Sequence, residues 1–261
     1  MQIIYFIVFF VACFIGAVVG LGGGVIIRPI LDAIGYHNMA NIAFLSSTAV
    51  LIMAVVSTSG KIKANKGKFI DAQPAILISI GAIFGGIVGN YFFEMMKTGL
   101  DAEHYAQIVQ TALTTMVLVG AIYFTTSTRF RYQLKNPLIF PVLGFILGAS
   151  AVFLGIAGGP INVPVFMVLF SMPAKKAAAH SIIVVFSAHL FRIISMGFTQ
   201  GYASFDLHFL PVIAIAAIAG GIMGSWLTKK ISDSMVVKLF DVTMVLLIIF
   251  NIFNIIVFSL Q

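Results

Sequence analysis

Apolar stretches long enough to cross a lipid bilayer recur from one end of the chain to the other. Eight can be read, over roughly 2–20, 39–59, 72–95, 105–125, 137–155, 177–199, 207–228 and 236–260. A bilayer's hydrocarbon core is about 30 Å thick and takes roughly 20 helical residues to span. The sequence therefore predicts an all-α polytopic membrane protein. Charge agrees: 9% of residues are charged, against about 25% in a soluble domain. With only 8 Asp and Glu in 261 residues, there is too little charge to coat a water-facing surface. A soluble enzyme, a nucleic-acid module and a disordered chain are excluded, the net charge of +7 notwithstanding. One cysteine, Cys13, leaves no intramolecular disulfide, thiolate cluster or two-thiol relay. The first 20 residues carry no Lys or Arg, so the first segment is expected to be a retained span rather than a cleaved signal. No stretch between spans is long enough for a soluble catalytic domain.

Two shorter segments, 24–35 and 160–171, each follow a cluster of glycines. Short, Gly/Pro-interrupted segments at matching places in two halves are a sequence pointer to a transporter's binding site. These two do match. Sliding the chain against itself by 135 residues aligns 20–92 with 155–227 without a gap, and 17 of 73 positions are identical. The non-apolar identities decide the matter, because Ile on Ile is expected in such a composition. Gly20, Gly23, Gly24 and Pro29 fall on Gly155, Gly158, Gly159 and Pro164; Ser46 falls on Ser181, and Asp71 on Asp206. Gly85, Gly86 and Gly89 fall on Gly220, Gly221 and Gly224. The chain reads as a duplication, with a first transmembrane repeat over 1–128 and a second over 129–261.

Basic residues choose the topology. If the short segments do not cross, each half has four spans, the halves are parallel, and Lys and Arg distribute evenly between the two faces. If both cross, each half has five crossings and the halves are inverted. Twelve basic residues then share one face with only Lys97 opposite, and Arg28 and Arg192 lie within the membrane. Cytoplasmic loops are enriched in Lys and Arg, so inversion is expected, in a prokaryotic cytoplasmic membrane with both termini outside.

The most informative stretch is Gly20-Leu-Gly-Gly-Gly-Val-Ile-Ile-Arg-Pro29, with its echo Gly155-Ile-Ala-Gly-Gly-Pro-Ile-Asn-Val-Pro164. Glycines permit positive φ and close approach to backbone N–H groups. A turn of this kind feeding a helix offers free N–H groups and the positive helix end to an anion. Gly22, Gly23, Gly24, Gly158 and Gly159 are therefore candidate substrate-binding residues, and close helix packing is the competing reading.

This paired arrangement, together with the later Gly-rich helices, resembles the sulfite exporter TauE/SafE family of permeases over nearly the whole chain. The resemblance implies a secondary transporter of sulfur-containing anions, such as sulfite or organosulfonates. Two departures stand in the second cluster, where Ala157 replaces its first glycine and Pro160 follows it immediately. Proline suits the first turn of a helix.

Other polar groups could complete such a site. Arg28 and Asp32 are four apart and can neutralise one another; Arg28 is either that bridge or an intramembrane functional cation. His189 and Arg192 share a helix face, where with Arg28 they would hold a divalent oxyanion. Snorkelling of Arg192 toward the interface is the alternative. Ser46, Ser181 and Asn162 are candidate neutral donors. His180, His189 and Asp241 are candidates for coupling to a proton, and Na+ is the other candidate coupling ion. Asp241 and Asn251 show no obvious partner in the last span. Asp71 and Asp206 are expected to cap the helices that follow them. The glycines at 81, 85, 89, 220 and 224 are assigned to helix packing. No cofactor, metal site or enzymatic motif is expected. The reading is thus an anion transporter working by alternating access. The alternatives are a non-transporting membrane assembly or partner protein and, with less support, an intramembrane enzyme.

Overall fold

The computed structural model describes residues 1–64, 72–99, 103–127, 131–134, 136–154, 156, 159–199 and 201–259. These form ten α-helices and no strand: α1 (Gln2–Val19), α2 (Gly24–Ile34), α3 (Met39–Ala64), α4 (Ala72–Gly99), α5 (Glu103–Thr126), α6 (Ile139–Phe153), α7 (Gly159–Leu169), α8 (Ala174–Thr199), α9 (Leu210–Lys230) and α10 (Asp233–Ser259). Among the described residues, seven helices are long and apolar enough to cross a membrane. The segment at 137–155, read from sequence as a full span, is a 15-residue helix. At 1.5 Å per residue it covers about 22 Å, short of the hydrocarbon core.

The duplication carries through to helix boundaries. α2 and α7 are both 11 residues long, α3 and α8 both 26, and each pair is separated by the same 135-residue offset. Lipid tails give little hydrophobic drive for helix association, so small residues that let backbones approach do much of the packing. That occurs twice here. α4 lies along α6, where a Cβ on Gly85 would run into the Phe145 carbonyl and one on Gly89 into that of Ala149. α9 lies along α1, where Gly220 meets the Phe10 carbonyl and Gly224 that of Phe14. Moving one partner up by 135 and the other down by 135 converts the first set of contacts into the second. The two interfaces are thus built from residues at one offset, and these glycines stand at close helix contacts, as their packing assignment expects.

The same contacts give helix directions. Positions 220 and 224 on α9 meet 10 and 14 on α1, so these helices run the same way. Asn41 Oδ1 accepts from the Asp206 N–H at 2.8 Å, while Gly221 packs on Met53 and Gly60 on Ser225. α3 therefore also runs with α9. Since α1 and α3 are parallel, α2 carries the chain back between them. α8 leads into Tyr202 and Phe205, which pack on Phe44 near the start of α3, with Phe205 stacked at 4.4 Å. α3 and α8 are therefore antiparallel.

Two apolar cores fill the bundle. One gathers Tyr5, Phe9, Ile42, Met53 and Phe209 around α1, α3 and α9; the other gathers Leu118, Phe140, Phe166, Phe240 and Met244 around α5, α6, α7 and α10. Large apolar side chains such as Phe84, Met116, Trp226 and Phe253 face outward, as a lipid-facing surface requires. At one end of the bundle the Lys175 N–H donates to Asp233 at 2.8 Å, and Arg131 Nη1 donates to the last turn of α7 at Met167 O, also 2.8 Å. The starts of α8 and α10 meet there. At the other end Tyr5 stacks on Phe209 at 4.5 Å, and the His37 ring meets both edge-on.

Candidate functional site

α1 ends because Gly20 adopts φ 85°, and the Gly20 and Leu21 N–H groups both return to the Gly16 carbonyl, at 2.9 and 3.1 Å. A left-handed residue with such a six-to-one bond is a Schellman-type stop. The bond recurs in the second half, where the Ile156 N–H donates to Ala151 O at 3.1 Å. Gly22 and Gly23 then hold φ of 82° and 71°, Gly23 caps α2, and Gly24 is its first residue. Side chains at these two positions would be strained even with space around them. Space is also absent: a Cβ on Gly22 would lie 2.6 Å from Val185 Cγ1 and 3.4 Å from Val50 Cγ1, and one on Gly23 2.9 Å from Ala12 O.

Val50 and Val185 stand near the midpoints of the two 26-residue helices α3 and α8 and are matched in the repeat. The first glycine turn thus sits halfway along the antiparallel pair α3 and α8. The second turn abuts it, since a Cβ on Gly159 would collide with the backbone of Leu21. Gly158, with Gly155 and Ala157, lies outside the described residues, as does Asp71.

Around this crossing the structure sorts the polar candidates. Ser181 Oγ donates to the Gly20 carbonyl at 2.6 Å, tying α8 to the first turn. Its mate Ser46 donates instead to Ala43 O in its own helix, at 3.2 Å. Asn162, one turn into α7, is 1% exposed, and neither end of its amide has a hydrogen-bond partner among the described residues. Buried polar groups are nearly always satisfied, so this amide stands out. His189 is buried with neither ring nitrogen bonded. It lies within electrostatic range of Arg192, which in turn is within range of Arg28. Arg28 pairs with Asp32 at 3.8 Å, whereas Arg192 has no acidic partner among the described residues. Two cations and a free imidazole from α2 and α8 are therefore gathered near the crossing.

Other candidates are held elsewhere. His180 Nδ1 donates to Lys176 O at 2.9 Å, with its ring 6.0 Å from that of Phe166. Asp241 does have a partner, accepting from Thr125 Oγ1 of α5 at 2.8 Å. Asp206 caps the short 3-10 turn ahead of α9 by accepting the His208 N–H at 3.0 Å. Among the described residues no cluster of His, Cys, Asp or Glu could hold a metal ion.

Sequence reasoning missed a cavity of about 390 Å³, lined by both polar and apolar residues, beside the crossing, bounded by α2, α5, α10 and the end of α6, with His37 and Asn38 at its lip. Its polar lining includes Arg28, Asp32, Gln110, Thr111, Thr114, Asn251 and Asn254. Gln110 Nε2 and Thr114 Oγ1 donate to the carbonyls of Phe153 and Leu154, at 2.7 and 3.2 Å, and so satisfy the end of α6 just ahead of the second turn. The available signal was the spacing of polar residues within otherwise apolar spans: 110, 111 and 114 on α5, and 251 and 254 on α10.

The family model described as Sulfite exporter TauE/SafE matches residues 5–251. A probable membrane transporter protein of Bacillus subtilis strain 168 is 21% identical over 253 residues, covering 89% of this chain and 90% of that protein. A probable membrane transporter protein of Methanocaldococcus jannaschii is 25% identical over 241 residues, covering 87% and 86%. No solved structure matches.

Proposed function

We propose that this chain, which belongs to the sulfite exporter TauE/SafE family, is a secondary transporter of small anions, sulfur oxyanions or organosulfonates, working by alternating access between two inverted halves. It is not an enzyme. One observation carries the reading: the glycine turn of each half meets the other at mid-depth, Leu21 backbone against Gly159, with the unsatisfied Asn162 amide one turn away along α7. Irregular backbone within a membrane is tolerated only where protein or a water-filled cavity satisfies it. Two helix starts aimed at one place supply about half a positive charge each. Gly22, Gly23 and Gly159 bring backbone N–H groups to the anion, and Asn162 supplies a neutral donor; the Gly24 N–H is instead taken by the Gly22 carbonyl at 2.8 Å. Arg192 provides the charge that a divalent anion needs beyond the helix ends, and Arg28 is a second cation that meets an anion of either charge.

The parallel course of α1 and α3, with α2 returning between them, supports five crossings per half and hence inverted repeats over 1–128 and 129–261. Arg131, Lys175, Lys176, Lys229 and Lys230 gather at the end where α8 and α10 begin. By the positive-inside rule that end is cytoplasmic, and both termini are outside. The 390 Å³ cavity reaches the opposite, outer end at His37 and Asn38. The corresponding place in the second half is filled by Val163, Phe166, Met167 and Phe240. This pattern fits a carrier open to the outside, and exchange of the two halves' packing would open the other face. His189 is the leading candidate for a coupled proton.

Flux into proteoliposomes tests the function. Labelled sulfite or ethanesulfonate should accumulate under an imposed H+ or Na+ gradient well above protein-free vesicles. Vesicles that carry folded protein yet take up neither anion would leave a non-transporting membrane partner as the better reading.

A further inference from the structure

We propose that the chamber between α2, α5 and α10 is a substrate-body site, which makes the protein select short organic anions bearing a hydrogen-bonding group over bare inorganic oxyanions. This rests on the anion-transport reading and narrows its substrate class.

Size is the first argument. Ligand cavities run from about 300 to 1,000 Å³, and this one holds about 390 Å³. A tetrahedral oxyanion needs the room of only a few water molecules at about 30 Å³ each, so it would leave most of the chamber unfilled. The chamber fits an acid group joined to a body of a few carbons.

Chemistry is the second. The lining has one cation, Arg28, whose contact with Asp32 at 3.8 Å is longer than a hydrogen bond. A guanidinium carries five N–H donors in a fixed fork, enough to hold a ligand's acid oxygens beside the partners it already has. Farther along, Asn251 is 7% exposed and its Nδ2 has no partner among the described residues. Asn254 lies one turn beyond on α10. A donor left unsatisfied within a membrane span is costly and marks function. Val25, Leu154 and Leu247 add apolar surface to the same lining, against which a short carbon chain can lie. Among the described residues the second half does not repeat this layout: Arg28 and Asp32 correspond to Val163 and Met167, both buried in the apolar core.

A site that hydrogen-bonds a substrate hydroxyl discriminates against the analogue lacking it far better than an apolar pocket does. Isothermal titration of the purified full chain with sulfate, ethanesulfonate and 2-hydroxyethanesulfonate applies that rule. The hydroxylated sulfonate should bind at least tenfold more tightly than either other anion. Asn251→Leu should reduce it to the affinity of ethanesulfonate while leaving ethanesulfonate unchanged, and the milder Asn251→Ser should fall between. Arg28→Gln should weaken both sulfonates by the same factor. If Asn251→Leu does not fold, the comparison of the two sulfonates on the unaltered protein and on Asn251→Ser still decides. Equal binding of the two sulfonates, or a preference that survives loss of the amide, overturns the chamber's role. Measured alongside, proteoliposome flux of all three anions without preference would overturn the chamber and leave transport standing; flux of none would overturn transport itself.

Discussion

The two glycine turns share the six-to-one bond that closes the helix before each of them, but not their surroundings. The first passes from α1 into α2, with Arg28 and Asp32 on the helix it starts and an open chamber of mixed lining alongside. The second passes from α6 into α7, whose side chains at the matching positions, Val163 and Met167, are buried in an apolar core with Phe166. What the repeat preserves is the part that builds geometry: the six-to-one bonds at Leu21 and Ile156, the helix lengths, and the glycines that let α4 meet α6 and α1 meet α9. Charge and access are not duplicated. On the transport reading, the matched turns build the crossing and the unmatched side chains decide what enters and from which side.

The strongest way to break the comparison is to damage one turn at a time. Gly23→Leu forces a side chain into φ 71° and against Ala12 O, and Gly159→Leu drives one into Leu21. Each should abolish proteoliposome flux, a loss of more than about 100-fold. Gly35→Ala, also at positive φ but with nothing within 4 Å, should cost stability alone, about 1 kcal/mol. Near-normal flux after either Leu substitution would mean that one turn is only a spacer.

The cations sharpen it next. Arg192→Gln should weaken sulfate at least tenfold more than ethanesulfonate, because the helix ends together offset about one negative charge. Arg28→Gln, in the chamber, should weaken the two alike. Equal losses for both substrates at position 192 would make that arginine a snorkelling, structural one.

The matched serines give the smallest contrast. Ser181→Ala removes the hydroxyl bond to the Gly20 carbonyl and should lower stability by about 1–2 kcal/mol. Ser46→Ala loses only a bond within its own helix and should stay within about 0.5 kcal/mol. Thermal unfolding of both in one detergent makes the comparison, and equal midpoints would remove the tether from the account.

The glycines and prolines made the turns legible in sequence. Gly20, Gly23, Gly24 and Pro29 matched their mates at one offset, and α2 and α7 begin and end where that offset places them. The chamber was not legible, for a physical reason. Gln110, Thr111 and Thr114 stand on α5, Asn251 and Asn254 on α10, and only the α5–α10 contact brings them to one face of α2. None has a polar mate in the other half, so the repeat could not single them out. Thr125 and Asp241 illustrate the same limit: their bond links residues 116 apart in sequence. Ser46 and Ser181 show the opposite one, identical residues at equivalent places that make different bonds.

The central claim is that equivalent loops of the two halves face opposite sides of the membrane. Asn38 and Pro173 test it directly, since they occupy the same place in the repeat, just before α3 and α8, and both are exposed. The native Cys13 is buried. In intact cells an impermeant thiol reagent should label Asn38→Cys from outside, and should reach Pro173→Cys only after the membrane is permeabilised. Labelling of both from the same side would contradict inverted halves and, with them, the crossing on which the transport reading depends.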